Sequence, residues 1–228
     1  MRLILSRLLF AAALCSFPAF AQTNASSKAS VRLSEIALVP KVSASSSSGP
    51  LYQGNWTDIL STTMKTSSNA DVLIGVSLEA GLFTDTLVSS KGGNADTSKA
   101  EASVEIRVLV DGTEAVPGTV IFAQREQSLM AVFGGILQSC TDSNGDGTIV
   151  TTECIWTDEQ LQLVLNTMNA NAFNFSLTNL GTGIHQFDVQ ARIVLKTSAQ
   201  NGAASAAATV GKGSLTVEAV RFTNSFEL

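Results

Sequence analysis

Histidine is almost missing from this chain, which has one in 228 residues, His185, alongside three cysteines, two tryptophans and one tyrosine. A single imidazole leaves little for the usual acid–base or nucleophilic devices, and no G-x-S-x-G nucleophile turn is present. Zinc sites need about four nitrogen or sulfur ligands, a set that one histidine and so few cysteines do not supply. Gly211-Lys212-Gly213 lacks the upstream glycine and following hydroxyl of a phosphate loop. Facing carboxylates for glycoside hydrolysis are not evident, because Glu79, Glu105, Asp188 and Glu218 sit mostly at polar positions of alternating segments. Lysine and arginine are scarce and unclustered, 14 against 19 acids, which argues against nucleic acid and anionic membranes as partners. No run approaches the roughly 20 apolar residues of a membrane-spanning helix.

The first 21 residues read as a secretory signal. Arg2 and Arg7 precede the apolar stretch Leu8 to Leu14, and Ala19-Phe20-Ala21 supplies a cleavage sequence ahead of Gln22. Without Arg2 and Arg7 the formal charge moves from −5 to −7. Export to the periplasm or the extracellular space follows, and with it an oxidising environment. Cys15 leaves with the signal, so Cys140 and Cys154 remain as one candidate disulfide.

Residues 22–56 form a flexible, serine-rich start with one candidate edge strand, Val31 to Val39, and a linker through Ser43 to Ser48. From residue 57 to 228 the dominant pattern is period two, the mark of strands with one buried face. Val72, Ile74, Val76 and Leu78 share one face; so do Val104, Ile106, Val108 and Val110; so do Phe187, Val189, Ala191, Ile193 and Leu195. Asp111-Gly112 and Asn201-Gly202 are hairpin turn pairs, and a last strand covers Ser214 to Phe222. Eight or more short strands predict a single antiparallel β-sandwich, jelly-roll-like, of mainly β class. One segment departs: Leu161, Val164, Leu165 and Met168 are spaced as an amphipathic helix, with Thr157 and Gln160 as its capping box. The sequence thus predicts an insertion over 140–170 holding one helix. The alanine run Ala203 to Ala208 suits either low complexity or a strand packed close to another layer.

Within that insertion, Asp142-Ser-Asn144-Gly-Asp146-Gly147-Thr148-Ile149-Val150-Thr-Thr-Glu153 meets every fixed position of D-x-[DN]-x-[DN]-G-x5-E. Over these twelve residues the chain resembles EF-hand-type calcium loops. The chemistry behind the spacing is that Ca²⁺ takes six to eight oxygen ligands and short polar side chains at alternate positions can turn inward together. The resemblance implies side-chain oxygens from Asp142, Asn144 and Asp146, a sharp bend at Gly147, and the backbone carbonyl of Thr148. It further implies a water-linked position at Val150 and both carboxylate oxygens of Glu153. The motif occurs once, whereas EF-hands usually work as pairs. The entering segment, Leu129, Val132, Phe133, Ile136 and Leu137, has helical spacing broken by Gly134-Gly135; two strands from Thr119 to Phe133 are the preferred reading. Cys140 lies two residues before the first ligand and Cys154 directly after the last, so their bridge would close the loop as paired helices otherwise do. The functional expectation is a secreted, non-catalytic calcium-binding structural or adhesive protein with an extracellular protein or glycan partner. A calcium-dependent carbohydrate-binding module, using Tyr52, Trp56 or Trp156, is the alternative.

Overall fold

The structure is a computed structural model and describes residues 29–38, 40–44, 49, 51–90, 94–157 and 159–223. The signal sequence, most of the serine linker and the Gly92-Gly93 turn lie outside the described residues. In chain order the strands are β1 (Ala29–Leu38), β2 (Lys41–Ala44), β3 (Leu51–Gln53), β4 (Thr57–Thr66), β5 (Ala70–Ser90), β6 (Ala95–Val110) and β7 (Thr113–Glu114). They continue with β8 (Val120–Val132), β9 (Ile136–Cys140), β10 (Cys154–Thr157), β11 (Glu159–Leu180), β12 (Gly183–Ala199) and β13 (Ala203–Val220).

All pairings are antiparallel. One sheet runs β1-β13-β5-β11, with β2 continuing the β1 edge; the other runs β4-β12-β6-β8, with β3 and β7 short additions on β12 and β6. The inner faces of the two sheets pack on each other as an antiparallel sandwich, and their shared core includes Ile74, Val76, Leu78, Ile106, Val108, Phe187, Leu195 and Leu215. The three alternating sets foreseen from the sequence are buried as expected, Val72 to Leu78, Val104 to Val110 and Phe187 to Leu195. Alternate alanines of the run, Ala204, Ala206 and Ala208, also face inward, so the run is a strand packed close to the opposite layer. Asp111 and Gly112 both have positive φ, +50° and +83°, as a two-residue hairpin turn between β6 and β7 requires.

Three expectations are corrected. The helix over the 158–170 region is absent: β11 pairs with β5 continuously from Glu159 opposite Ser90 to Leu177 opposite Val72. The helical spacing was ambiguous because Leu161, Leu163 and Leu165 also alternate with Gln160, Gln162 and Val164. The following run of Asn, Thr and Phe is weak in helix propensity and gains more from pairing along β5. Between Thr119 and Phe133 there is one strand, β8 (Val120–Val132), not two; a bulge opposite Val104 and Glu105 absorbs the break in alternation. The Asn201-Gly202 turn is not a hairpin. It joins β12 of one sheet to β13 of the other, as an arch over the end of the sandwich.

The arch is fixed by Asp96, which is fully buried. Its Oδ1 accepts the N–H groups of Thr97 and Asn201, both at 2.8 Å, and its Oδ2 accepts that of Ser89 at 2.5 Å. One carboxylate thereby ties β5, β6 and the turn after β12. At the same end Gln127 bonds Thr84, Thr86 and the Leu163 carbonyl inside the sandwich.

Candidate calcium loop

β9 and β10 form a separate two-stranded ribbon between β8 and β11, with Cys140 opposite Cys154, Ile155 opposite Ser139 and Trp156 opposite Leu137. A disulfide joins the two cysteines, whose Cα atoms are 4.0 Å apart. The cross-link closes the stem where the loop begins and ends, as the cysteine spacing foresaw. Residues 142–153 form the tip, and a single 3-10 turn, Thr151–Glu153, returns the chain to β10. Trp156 is half-buried.

Inside the loop each acidic side chain is held by backbone donors. Asp142 accepts the N–H of Gly145 on Oδ1 (2.6 Å) and of Gly147 on Oδ2 (2.8 Å). Asn144 Oδ1 accepts from the Asp146 N–H at 2.9 Å, and its amide donates to Asp146 Oδ2 at 3.0 Å. Asp146 Oδ1 accepts the N–H of Thr148 at 2.7 Å. Glu153 Oε2 accepts the N–H of Val150 at 3.1 Å, and Oε1 takes both the hydroxyl (2.9 Å) and the N–H (3.1 Å) of Ser143. These donors, the Val150 N–H first and the Ser143 hydroxyl next, hold the Glu153 carboxyl below the ordinary glutamate value of 4.5.

Gly147 turns at φ +78°, the bend required at the sixth position. Gly145 does the same at +73°, a position the motif leaves free. Both glycines donate their own N–H to Asp142, in a backbone conformation that a side chain would strain. Asn144 and Asp146 are joined directly, and Glu153 is brought to the start of the loop through Ser143. Among the described residues, however, no three acidic, His or Cys side chains gather at one point. Ser143 is the residue that the sequence reading missed: the motif treats the second position as arbitrary, yet here its N–H and hydroxyl orient the last acid.

The donor set fits calcium rather than a softer metal: carboxylate, amide and carbonyl oxygens in a loop free of imidazole and thiolate. Each carboxylate oxygen that accepts one N–H keeps a further lone pair for an ion; Glu153 Oε1, which takes two donors from Ser143, does not, and Oε2 does. Asp142, Asn144, Asp146 and Glu153 would hold it through side chains, with the Thr148 carbonyl and a water near Val150 completing the shell.

Other titratable groups have structural partners. His185 Nδ1 lies 2.6 Å from Asp111 Oδ2 and Nε2 lies 3.0 Å from the Gly181 carbonyl, so the ring links the β6–β7 turn to the β11–β12 connection. The His185 hydrogen bond first, and the Gln186 N–H second, hold Asp111 below the ordinary aspartate value of 3.8. A group with a depressed folded pKa stabilises above its unfolded value and loses that contribution as pH falls through the folded value. Asp111→Asn should therefore lower stability slightly above about pH 4 and, by the same amount, flatten the part of the stability–pH curve below it. Urea titrations between pH 2 and 7 check this, and an unaltered acid limb would count against it. Glu105 pairs with Arg192 at 2.6 Å, and the guanidinium groups of Arg107 and Arg192 each lie 4.5 Å from the centre of the Trp56 ring. Beside them an open hollow of about 400 Å³ is lined by Tyr52, Asn55 and Arg192 among others. No helix among the described residues is long and apolar enough to cross a membrane.

No protein-family model matches the chain, and no curated protein matches it significantly. Among solved structures, dimeric latent PorU from Porphyromonas gingivalis aligns at 10% identity and a TM-score of 0.21, over 91% of this chain and 14% of that one. Infectious bursal virus derived T=1 particles align at 11% identity and a TM-score of 0.19, over 87% of this chain and 42% of theirs. The VP2 subviral particle of infectious bursal disease virus gives 11% identity, a TM-score of 0.18, and coverage of 87% and 43%. This chain thus spans less than half the length of each of these proteins.

Proposed function

We propose that this is a secreted or envelope-associated calcium-binding protein, non-catalytic and structural or adhesive in role, in which one Ca²⁺ rigidifies the loop Asp142 to Glu153. The observation that carries the reading is the coincidence of three features. A cross-linked stem ends at the loop, the twelve positions hold hard oxygen donors at alternate sites, and backbone N–H groups already orient the carboxylates of Asp142, Asp146 and Glu153. Preorganisation of this kind lowers the ordering cost of binding. The disulfide acts in the same direction: a loop of about 15 residues closed covalently is worth on the order of 3 kcal/mol in the chain-entropy estimate. Loop rigidity at a surface tip supports a role in presenting that tip to a protein or glycan.

Calorimetric titration tests the proposal. Calcium should bind with unit stoichiometry and a Kd of about 10⁻⁴ to 10⁻³ M, the range of extracellular modules. A free concentration one hundredfold above Kd should stabilise the folded protein by about 2.7 kcal/mol. Glu153→Gln should remove most of this heat and the accompanying rise in melting temperature, and reductant should weaken both. An identical melting curve in EDTA and in millimolar calcium would sink the reading.

A second reading, a carbohydrate-binding module, has one supporting observation: the hollow beside the partly exposed Tyr52, where Asn55 and Arg192 add hydrogen-bonding groups. Binding on a glycan array that Tyr52→Ala abolishes would favour it.

A further inference from the structure

We infer that the outer edge of β11 is a homodimer interface, in which the strand pairs antiparallel with the same strand of a second copy across a two-fold axis and joins the two sheets into one. The argument starts from the edge itself. β5 occupies one side of β11. On the other side, among the described residues, the only backbone partner is Val116, which exchanges both N–H···O=C bonds with Ser176 at 2.9 Å. The N–H and C=O of Ser176 therefore point away from β5. Since these groups alternate along a strand, the even-numbered residues from Gln160 to Asn174 present theirs outward too.

Free edges are normally protected by charge, proline or brevity. The other edges in this sandwich follow that rule: Arg32 on β1, Lys41 on β2, Asp58 and Lys65 on β4, Arg125 and Glu126 on β8, and a three-residue β3. β11 does not. After Glu159 it has no charged residue and no proline through Leu180. It also exposes Leu161, Leu163, Val164, Leu165, Met168 and Phe173 to between 37% and 61%.

A second copy fits this edge better than an unrelated strand for three reasons. The Val116 bridge ends the free segment at residue 175, so the midpoint of 159–175 is Thr167. A two-fold axis there sets even residues opposite even ones as hydrogen-bonded pairs, Gln162 with Ala172 and Val164 with Ala170, which is where the outward groups are. The same axis places Leu161 opposite Phe173 on the inner face. Charge points the same way: two copies of an acidic chain, net −5, repel over most of their surfaces but meet here along a strand with no acid of its own after Glu159, where the Arg125 guanidinium is bonded to the Thr167 hydroxyl and the Asp85 carboxylate to the Gln162 amide. Finally, about 17 residues at about 3.3 Å each, on an edge at least about 10 Å deep, bury about 1,100 Å² in total, above the roughly 1,000 Å² of a specific interface.

Sedimentation velocity of the purified protein between about 1 and 100 μM should show a monomer–dimer equilibrium. Asn166→Pro deletes an outward N–H that no described residue uses, so it should raise the dimer dissociation constant at least tenfold with unchanged circular dichroism. Val164→Lys should weaken it in the same direction. Thr167→Cys, at the axis, should oxidise to a covalent dimer, and Val164→Cys should do so far less. A protein monomeric at 100 μM overturns the inference. So does a dimer that Asn166→Pro and Val164→Lys leave intact. Amide exchange showing residues 160–174 protected in a monomer overturns it as well, because a segment of the same chain then covers the edge.

Discussion

Replacing Asp96 by alanine should destabilise the protein by about 3–5 kcal/mol, with a fall in melting temperature of about 10 °C. Asp96 lies at 0% exposure and accepts three backbone N–H groups, from Ser89, Thr97 and Asn201. Removal of an acceptor inside the fold leaves each donor to bear about 1–3 kcal/mol of uncompensated desolvation. A water entering the space would recover part of this, which is why the estimate stays near the lower half of the sum. The three donors belong to β5, β6 and the arch leading to β13, so the loss falls on the joint between the sheets rather than on one turn. Asp96→Asn discriminates further. Its amide keeps one acceptor oxygen but turns an N–H₂ toward a backbone donor, and the cost should lie between those of wild type and alanine. Chemical denaturation of the three proteins settles the order, and a loss under about 1 kcal/mol for alanine would show that the carboxylate is dispensable.

The importance of Asp96 was not legible in the sequence, and the reason is instructive. In Ala95-Asp-Thr-Ser-Lys-Ala an acid at an inward position looks like a solvated strand start, and only the approach of Asn201 from more than a hundred residues away gives it partners. The buried stripes Val72 to Leu78 and Phe187 to Leu195 were legible because one-sided burial is a local, period-two signal. Strand length was not: the signal fades where β5 trades apolar residues for Thr84 and Thr86, whose hydroxyls are matched by Gln127 of β8. β11 failed for a related cause. Its inner leucines lie at an edge whose opposite layer is polar, so no continuous apolar face distinguishes strand from helix. In the loop, the frame of Cys140 and Cys154 could be read directly, since cysteine spacing is a property of sequence. How Glu153 is oriented could not, because that depends on the rotamer and hydroxyl of Ser143.

Gly202→Ala should have an effect of similar size through pure sterics. The Asn201-Gly202 pair marks a turn in the sequence, where glycine is usually justified by its backbone freedom. Here its role is proximity: a Cβ at 202 would stand 1.8 Å from the Leu87 carbonyl oxygen, 2.7 Å from its carbon and 3.0 Å from the Val88 Cα. All three are backbone atoms of β5, a strand paired on both sides by β13 and β11. No side-chain rotation relieves the contact, so the arch must lift, and lifting it withdraws the Asn201 N–H from Asp96. Overpacking in cores costs about 1–3 kcal/mol where side chains give way; with fixed backbone on the far side, a loss of at least about 3 kcal/mol is expected. Gly134→Ala is the matched control, since nothing lies within 4 Å of the added methyl group. It should change stability by less than about 1 kcal/mol in either direction. Because both losses pass through the Asn201 N–H, Gly202→Ala combined with Asp96→Ala should cost less than the two separate losses added together. Full additivity in the double mutant would separate the turn from the carboxylate and leave the arch without a common anchor.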